Sequence, residues 1–449
     1  MRAHQTLAAR QAGTVVIGGG QAGYQVAWSL RHAGYEAPLH LICAERHPPY
    51  QRPPLSKHFL HDGSDASSLW LADPEQLEEL RVTISSEAVA TAIDRGMQSV
   101  HLADGGRLPY DHLVLATGAR NRHLAMAAPP GVHHIRSIDD ALALRDELPS
   151  ARHLVIVGAG FIGLEIASIA TDLGTEVDVV ELSDSAMARV VSPAMGRVMA
   201  ERHRERGVRF HWGRTVRRFL DDGSKLSGVE LDDGRAIVTS LAVICIGVAP
   251  NAELARQSGL AVDNGVVVGD QLHTGDDRIA AIGDCAAFPF STGPVGTGPV
   301  STGGGEPTRV RLESVQNAVD QAEHVAAEIA SGERVPYHRV PWFWSEQFGR
   351  RLQIAGLAAG ADEEVVVQPT SAPEPVSVLC FRDSRLIAVE SVDRPRDHMA
   401  GRRLLAKGLG PTPQDARVPG FDLAQWAKAA ASGAAERAAE PPKETRAAG

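Results

Sequence analysis

The chain has 449 residues, 43% of them hydrophobic and 22% charged, with a formal net charge of −10. That is room for about three domains of roughly 150 residues in an ordinary globular composition, and no apolar run approaches the roughly 18 residues that a membrane-spanning helix needs. The acidic balance argues against general nucleic-acid binding, while a local basic patch could still face an acidic partner.

Met1–Gln11 carries two arginines but no apolar stretch of the kind that drives secretion, so a short disordered leader on a cytoplasmic protein is expected. Thr14–Glu45 then runs as an apolar β-branched strand, a glycine turn, a small-residue helix and a second strand ending in an acid. Its "VVIGGGQAG" sets Gly18, Gly20 and Gly23 in G-x-G-x-x-G with Ala22 between them. Gly18 permits the tight turn, Gly20 lets a pyrophosphate approach the backbone, and Gly23 lets helix and strand pack. Glu45 stands where an acid can bond an adenosine ribose, and the helix N-terminus favours the phosphates.

Tyr110–Gly118 is a buried-strand pattern that stops at Thr117 and Gly118, where a cofactor could approach. His153–Glu181 repeats the first grammar with Gly158, Gly160, Phe161, Ile162 and Gly163, and its acid is Glu181. A carboxylate there accepts from a ribose 2′-hydroxyl and repels a 2′-phosphate, so NADH is favoured over NADPH. Arg189 either lies near the adenine ribose or is a solvated helix residue. Ala242–Gly247 is a second buried strand ending in glycine, at Gly247. Two such units in one chain predict an α/β fold with two Rossmann-like dinucleotide-binding domains.

Ser291–Pro307 is rich in Gly, Ser, Thr and Pro and is expected to be a mobile loop. From Pro336 the pattern turns to strand-like runs at Leu352–Leu357, Glu364–Gln368, Val376–Phe381 and Leu386–Val392, then a helix near Arg394–Lys407, which predicts a small α+β domain. The domains expected are 1–120 with 247–330, 121–246, and 336–426, followed by a disordered Ala-, Glu- and Pro-rich tail over 427–449. Cys43, Cys245, Cys285 and Cys380 form no C-x-x-C or C-x4-C pair, so each is expected to be a buried structural thiol, and no metal is expected.

Five stretches carry a resemblance: "PYQRPPLSK" at Pro49–Lys57, "LVLATGA" at Leu113–Ala119, "IGDCA" at Ile282–Ala286, "VRLESVQNA" at Val310–Ala318 and "PWFWSEQ" at Pro341–Gln347. Together they resemble the FAD-dependent ferredoxin reductases of oxygenase electron-transfer chains, from about Thr14 to Lys407. The resemblance implies a glutathione-reductase-like arrangement with FAD on the first glycine turn and NADH on the second. It implies that Arg52 and Lys57 contact FAD, that Asp284 holds the ribityl chain, and that Val315 meets the pyrimidine end of the flavin. Val89 and Arg136 match contacts to the adenosine half and the cofactor edge. Glu165 matches the acid beneath the nicotinamide that pairs with Lys57, so both are candidate catalytic residues. Trp342 and Trp344 are either domain core or, at Trp344, an aromatic edge over the flavin.

The implied activity is NADH oxidation through FAD, with electrons leaving singly to a [2Fe–2S] ferredoxin or a rubredoxin that feeds a monooxygenase or dioxygenase. Such carriers are usually acidic, which makes Arg309, Arg311, Arg350 and Arg351 candidates for a docking patch. The chain departs from the family at Ala44, where many members carry aspartate, and in the length of Ser291–Pro307. Two other readings fit the same scaffold: a flavin disulfide or peroxide reductase, which needs a thiolate by the flavin, and an NADH-sensing interaction protein resembling apoptosis-inducing factor.

Overall fold

The computed structural model describes residues 12–290, 309–367 and 376–439. The chain opens with β1 (Thr14–Ile17), α1 (Gln21–His32) and β2 (Leu39–Ile42), adds β3 (Thr83–Ser85) and β4 (His112–Leu115), and leaves this sheet unfinished. All of β1 is buried, because a central parallel strand is covered on both faces and takes a continuous β-branched run. Helix α1 buries Ala22, Gly23, Val26, Ala27 and Leu30, a stripe at helical spacing. Val26 and Leu30 are completely enclosed, and each such burial stabilises by roughly 1.5–3 kcal/mol.

The chain then builds a second sheet from β5 (Val132–His133), β6 (His153–Val157), α2 (Phe161–Asp172), β7 (Glu176–Glu181), α3 (Pro193–Glu205), β8 (Arg209–Trp212) and β9 (Leu241–Ile244). Its strand order is β8-β7-β6-β9-β5, parallel throughout. Afterwards the chain returns with β10 (Ile279–Ala281), which pairs with β4 and completes the first sheet as β10-β4-β1-β2-β3. Helix α4 (Val315–Ser331) packs on α1. Exit and return run side by side, since Ala119–Asn121 pairs antiparallel with Val248–Pro250. In both sheets the strand that leads into the glycine turn, β1 or β6, has its successor on one side and a later strand on the other. That switch in strand order opens a crevice at the carboxyl ends, where the glycine turns lie.

The third sheet is antiparallel: β11 (Trp342–Gln347), β12 (Arg350–Gly356), β13 (Glu363–Val367), β14 (Val376–Arg382) and β15 (Arg385–Val392) run in the order β11-β12-β15-β14-β13. Helices α5 (Pro395–Ala406) and α6 (Leu423–Ala439) follow, and Leu404 and Leu423 share a core with Val365, Leu379, Phe381 and Val389. The chain divides into two compact units, and the second joins Met187–Met199 to the residues from Val340 onward.

Helix α6 corrects one expectation, because the tail from Ala427 continues as helix to Ala439. The alanines that gave the stretch no apolar face are the best helix formers, and Trp426 and Ala427 pack on the core beside Leu423. The leader, the loop Ser291–Pro307 and residues 440–449 lie outside the described residues. No described helix is long and apolar enough to cross a membrane.

Candidate active site

The two glycine turns have the same geometry. Gly18 has φ of +120°, and a Cβ there would fall 2.1 Å from the Ala116 carbonyl oxygen. Gly158 has φ of +107°, with the Cys245 carbonyl oxygen 2.4 Å from the same point. Gly23 and Gly163 admit close packing, since a Cβ would lie 1.9 Å from the Gly18 oxygen and 2.2 Å from the Gly158 oxygen respectively. Gly20 and Gly160 face open space, with no atom within 4 Å of a Cβ. Each is also the N-cap of its helix and makes no side-chain cap, with Ala22 in the first turn of α1 and Phe161 and Ile162 in that of α2. Open approach and the positive end of the helix dipole are what a pyrophosphate needs.

The acids differ. Glu181 Oε2 accepts from the Ala159 amide of its own turn at 2.7 Å, and Oε1 accepts from the Ser183 amide at 2.8 Å. Glu45 is held by side chains instead: Tyr50 Oη donates at 2.6 Å and Arg52 Nη2 at 2.5 Å. Burial alone would push the Glu45 carboxyl up, but the Arg52 guanidinium and these hydrogen bonds outweigh it and hold the group below its ordinary value. Val89 is close by in the chain path, for Ala88 N–H bonds the Cys43 carbonyl at 2.9 Å where β2 ends.

Arg52 also donates to the Arg136 carbonyl at 2.5 Å, and Arg136 Nη2 reaches Asp284 Oδ2 at 2.9 Å. Arg136 Nη2 stands 3.6 Å from the Cβ position of Gly118, while its Nε is buried without a partner. Ala22 lies 3.2 Å from the Cβ position of Gly283, so the turn carrying Asp284 rests on the start of α1. Val315 opens α4, capped by Ser314, whose hydroxyl accepts from Asn317 N–H at 3.1 Å. Thr117 Oγ1 donates to the Asn251 carbonyl at 2.6 Å and Asn251 Nδ2 to the Thr117 carbonyl at 2.9 Å. Gly247 has φ of +88°, and its carbonyl accepts from Arg122 N–H at 2.9 Å.

Lys57 and Glu165 meet although 108 residues separate them. The two prolines of Pro53–Ser56 set a 3-10 turn that ends at Lys57, and Lys57 Nζ bonds the Pro53 carbonyl at 3.0 Å and Glu165 Oε2 at 2.7 Å. Ser56 Oγ donates to the same Oε2 at 2.6 Å. Glu165 is on α2 with only 3% of its side chain exposed, so a group from the first half of the unit closes on the helix of the second glycine turn. Removing either partner from such a buried pair costs about 3–5 kcal/mol.

A family model described as pyridine nucleotide-disulphide oxidoreductase matches residues 13–322, and one described as reductase C-terminal matches 342–427. The chain belongs to the pyridine nucleotide-disulphide oxidoreductase family. It is 44% identical over 411 residues to rhodocoxin reductase of Rhodococcus erythropolis, covering 91% of this chain and 93% of that protein. The crystal structure of a ferredoxin reductase for the CYP199A2 system from Rhodopseudomonas palustris superposes with a TM-score of 0.85 at 42% identity, over 92% of this chain and 99% of that one. A covalent putidaredoxin reductase–putidaredoxin complex matches at TM-score 0.86 and 33% identity, over 94% and 99% of the two chains.

Despite the family's description, this oxidoreductase has four free cysteines. Burial pushes the Cys43 thiol up to about 12, with Glu45 adding to it, and raises Cys285 and Cys380 as well. Cys245 corrects the expectation of uniform burial, for it is partly exposed, although desolvation still lifts its thiol to about 12. None is a thiolate near neutral pH. Arg311 is a second correction: its side chain is 6% exposed and committed to Glu313 at 2.6 Å and the Asp284 carbonyl at 3.1 Å, so it offers no docking charge. Arg309 is half-buried, Arg350 pairs with Asp393 at 2.9 Å, and Arg351 is exposed. Trp344 is half-buried on the edge strand β11, 5.5 Å from Trp342 between ring centres. Arg189 is exposed and belongs to the second unit. Sequence reasoning gave no role to Tyr50 or Asn251 and placed Ser56 with Lys57 at the loop position facing the flavin, without a role for its hydroxyl. The motif around Lys57 contained the signal for Tyr50 and Ser56, whereas nothing local marked Asn251.

Proposed function

We propose that the chain is an FAD-dependent NADH:ferredoxin reductase, which oxidises NADH and passes electrons singly to a [2Fe–2S] ferredoxin or a rubredoxin serving an oxygenase. The observation that carries this reading is the Lys57–Glu165 pair, an ammonium from the first glycine-turn half locked to a buried carboxylate on the helix of the second. A carrier protein as acceptor is supported by the relative named rhodocoxin reductase and by the complex with putidaredoxin. Four free cysteines suit a reducing compartment, and the reading includes a cytoplasmic location.

The residues present fit both cofactors. Gly18, Gly20, Ala22 and Gly23 would hold the FAD pyrophosphate, with Glu45 and Val89 at its adenosine. Arg52, Lys57, Thr117, Gly118, Arg136, Asp284 and Val315 would line the remainder. The buried, unpaired Nε of Arg136 and the open face of Gly20 both favour a polar ligand there. Gly158, Gly160, Phe161, Ile162, Gly163, Glu181 and Gly247 would hold NADH. The domain boundaries are taken as 1–120 with 247–330, 121–246 and 336–426, the last extended along α6.

FAD, when bound, supplies chemistry that side chains lack, taking a hydride and giving up electrons one at a time. The chain's part is alignment and charge. Two of the three Lys57 N–H donors are committed to Pro53 and Glu165, which leaves one to meet a developing negative charge. With no thiolate available, electrons need no sulfur relay, which speaks against the disulfide-reductase reading. Stopped-flow mixing with NADH and NADPH, followed by turnover with a panel of [2Fe–2S] ferredoxins and rubredoxins, tests the proposal. Rapid flavin bleaching by NADH and acceptor-dependent turnover are expected. A protein that binds no FAD, or one that loses its NADH-driven activity to a thiol-blocking reagent, rules it out.

A further inference from the structure

Tyr50 touches both charged groups that follow β2. It is 3% exposed, and an isolated bridge to Trp70 fixes its backbone. Its Oη donates to Glu45 Oε2 at 2.6 Å and accepts from Arg52 Nη1 at 2.8 Å, and the Arg52 guanidinium carbon lies 4.9 Å from the centre of its ring. The direction of the phenol proton is fixed by chemistry, since an ionised carboxylate only accepts and a guanidinium only donates. Burial pushes the phenol above its ordinary value, so it remains a donor at neutral pH.

Arg52 carries the array onward. Its Nη2 reaches Glu45 Oε1, its Nη1 reaches the Arg136 carbonyl, and Arg136 Nη2 reaches Asp284 Oδ2 at 2.9 Å. Three of the five guanidinium N–H groups are thus used within the protein, and each Glu45 oxygen accepts one of the two bonds it can take. One acceptor site per oxygen remains, which suits a vicinal diol such as the two hydroxyls of a ribose. All of these residues belong to the first compact unit. A phenol held by both of its neighbours supports a binding group in a single geometry before the ligand arrives.

We propose that Tyr50 is a positioning residue for FAD, setting Glu45 and Arg52 as one array for the adenosine arm of the cofactor. The inference rests on the functional reading above. The array works only while Glu45 is ionised. Arg52, Tyr50, His47 and the Cys43 thiol are the titratable groups in the field of Glu45. Burial raises the Glu45 carboxyl, but Arg52, the Tyr50 hydrogen bond and His47 outweigh it and hold the group below 4.5. A group depressed in this way contributes above its unfolded value and loses that contribution as pH falls through the depressed one. Without the phenol the depression shrinks, so the loss begins at higher pH.

The test follows FAD release from the diluted holoprotein by flavin fluorescence, from about pH 4 to about pH 7, for wild type, Tyr50→Phe, Glu45→Gln and the double variant. Tyr50→Phe keeps the ring beside Arg52 and removes only the hydroxyl. It should release FAD about tenfold faster at neutral pH, the equivalent of one charge-assisted hydrogen bond, and its acid acceleration should start at higher pH than that of wild type. Glu45→Gln should lose the acid acceleration altogether. The double variant should release FAD more slowly than the product of the two single effects, because both substitutions act on one array. Wild-type release by Tyr50→Phe, an acid limb that does not move, or a double variant equal to the product overturns the inference. Should Tyr50→Phe fail to fold, Glu45→Gln decides, and an acid limb identical to that of wild type sinks the array. If wild type takes up no FAD, the functional reading falls together with this one. If it holds FAD but oxidises no NADH, that reading falls alone, and the release rates still decide on Tyr50.

Discussion

The two glycine turns are near copies in backbone, yet their acids are held in different ways. Glu181 is fixed by main-chain amides, one of them from its own turn, whereas Glu45 depends on the phenol of Tyr50 and the guanidinium of Arg52. Main-chain donors cannot be mutated away or titrated, while a guanidinium clamp works only as long as the carboxylate stays charged. One half of the unit is therefore set by geometry alone, and the other by geometry plus electrostatics.

The largest effect expected comes from breaking the backbone that the turns share. Gly18→Ala forces a Cβ into the Ala116 carbonyl at positive φ and should yield protein without the flavin spectrum. Gly158→Ala should keep the flavin and lose its bleaching by NADH by at least about a hundredfold, a strain of roughly 3 kcal/mol. Retained bleaching in the second variant would mean that the two turns do not serve separate cofactors. Next comes Lys57→Met, which leaves Glu165 buried without its cation. Stability should fall by about 3 kcal/mol in urea denaturation, and flavin reduction by NADH should slow about a hundredfold while FAD stays bound.

A smaller change separates the acids directly. Glu181→Ala removes the carboxylate proposed to accept from the ribose and should raise KM for NADH about tenfold at unchanged kcat, narrowing the gap to NADPH in steady-state assays. The smallest effect distinguishes the clamps by pH. Because Arg52 and its hydrogen bonds hold the folded Glu45 below 4.5, its stabilising contribution is present above that value and lost as pH falls through the lower one. The melting temperature of wild type should therefore drop more steeply below about pH 4.5 than that of Glu45→Gln, and parallel curves would show that the clamp adds nothing.

How much of this was legible beforehand follows from the range of each interaction. Gly18, Gly20 and Gly23, like Gly158, Gly160 and Gly163, act within one strand–turn–helix unit, so their spacing alone announces both turns and the α/β fold. The Lys57–Glu165 pair spans two halves of the unit, and only resemblance to a family pointed to it. Asn251, bonded to Thr117, lies in no motif and carries no charge pattern, so nothing local marked it. Arg311 was misjudged because a charge in a sequence does not say whether its side chain lies down on a carbonyl and a carboxylate or stands in water. Helix α6 escaped because composition reports missing apolar spacing more loudly than it reports helix propensity.

The first sheet is interrupted by the second, and this sets an order on synthesis. No strand of the first sheet falls between β5 and β9, so these can pair as soon as they emerge. Strand β4, made earlier, must wait for Ile279–Ala281 before its outer edge is covered. An exposed parallel edge invites wrong partners, and pairing it across so long a loop is slow. Of the two glycine-turn halves, the one that starts first is thus the one that finishes last, and the ribosome has released the whole second sheet before the first can close.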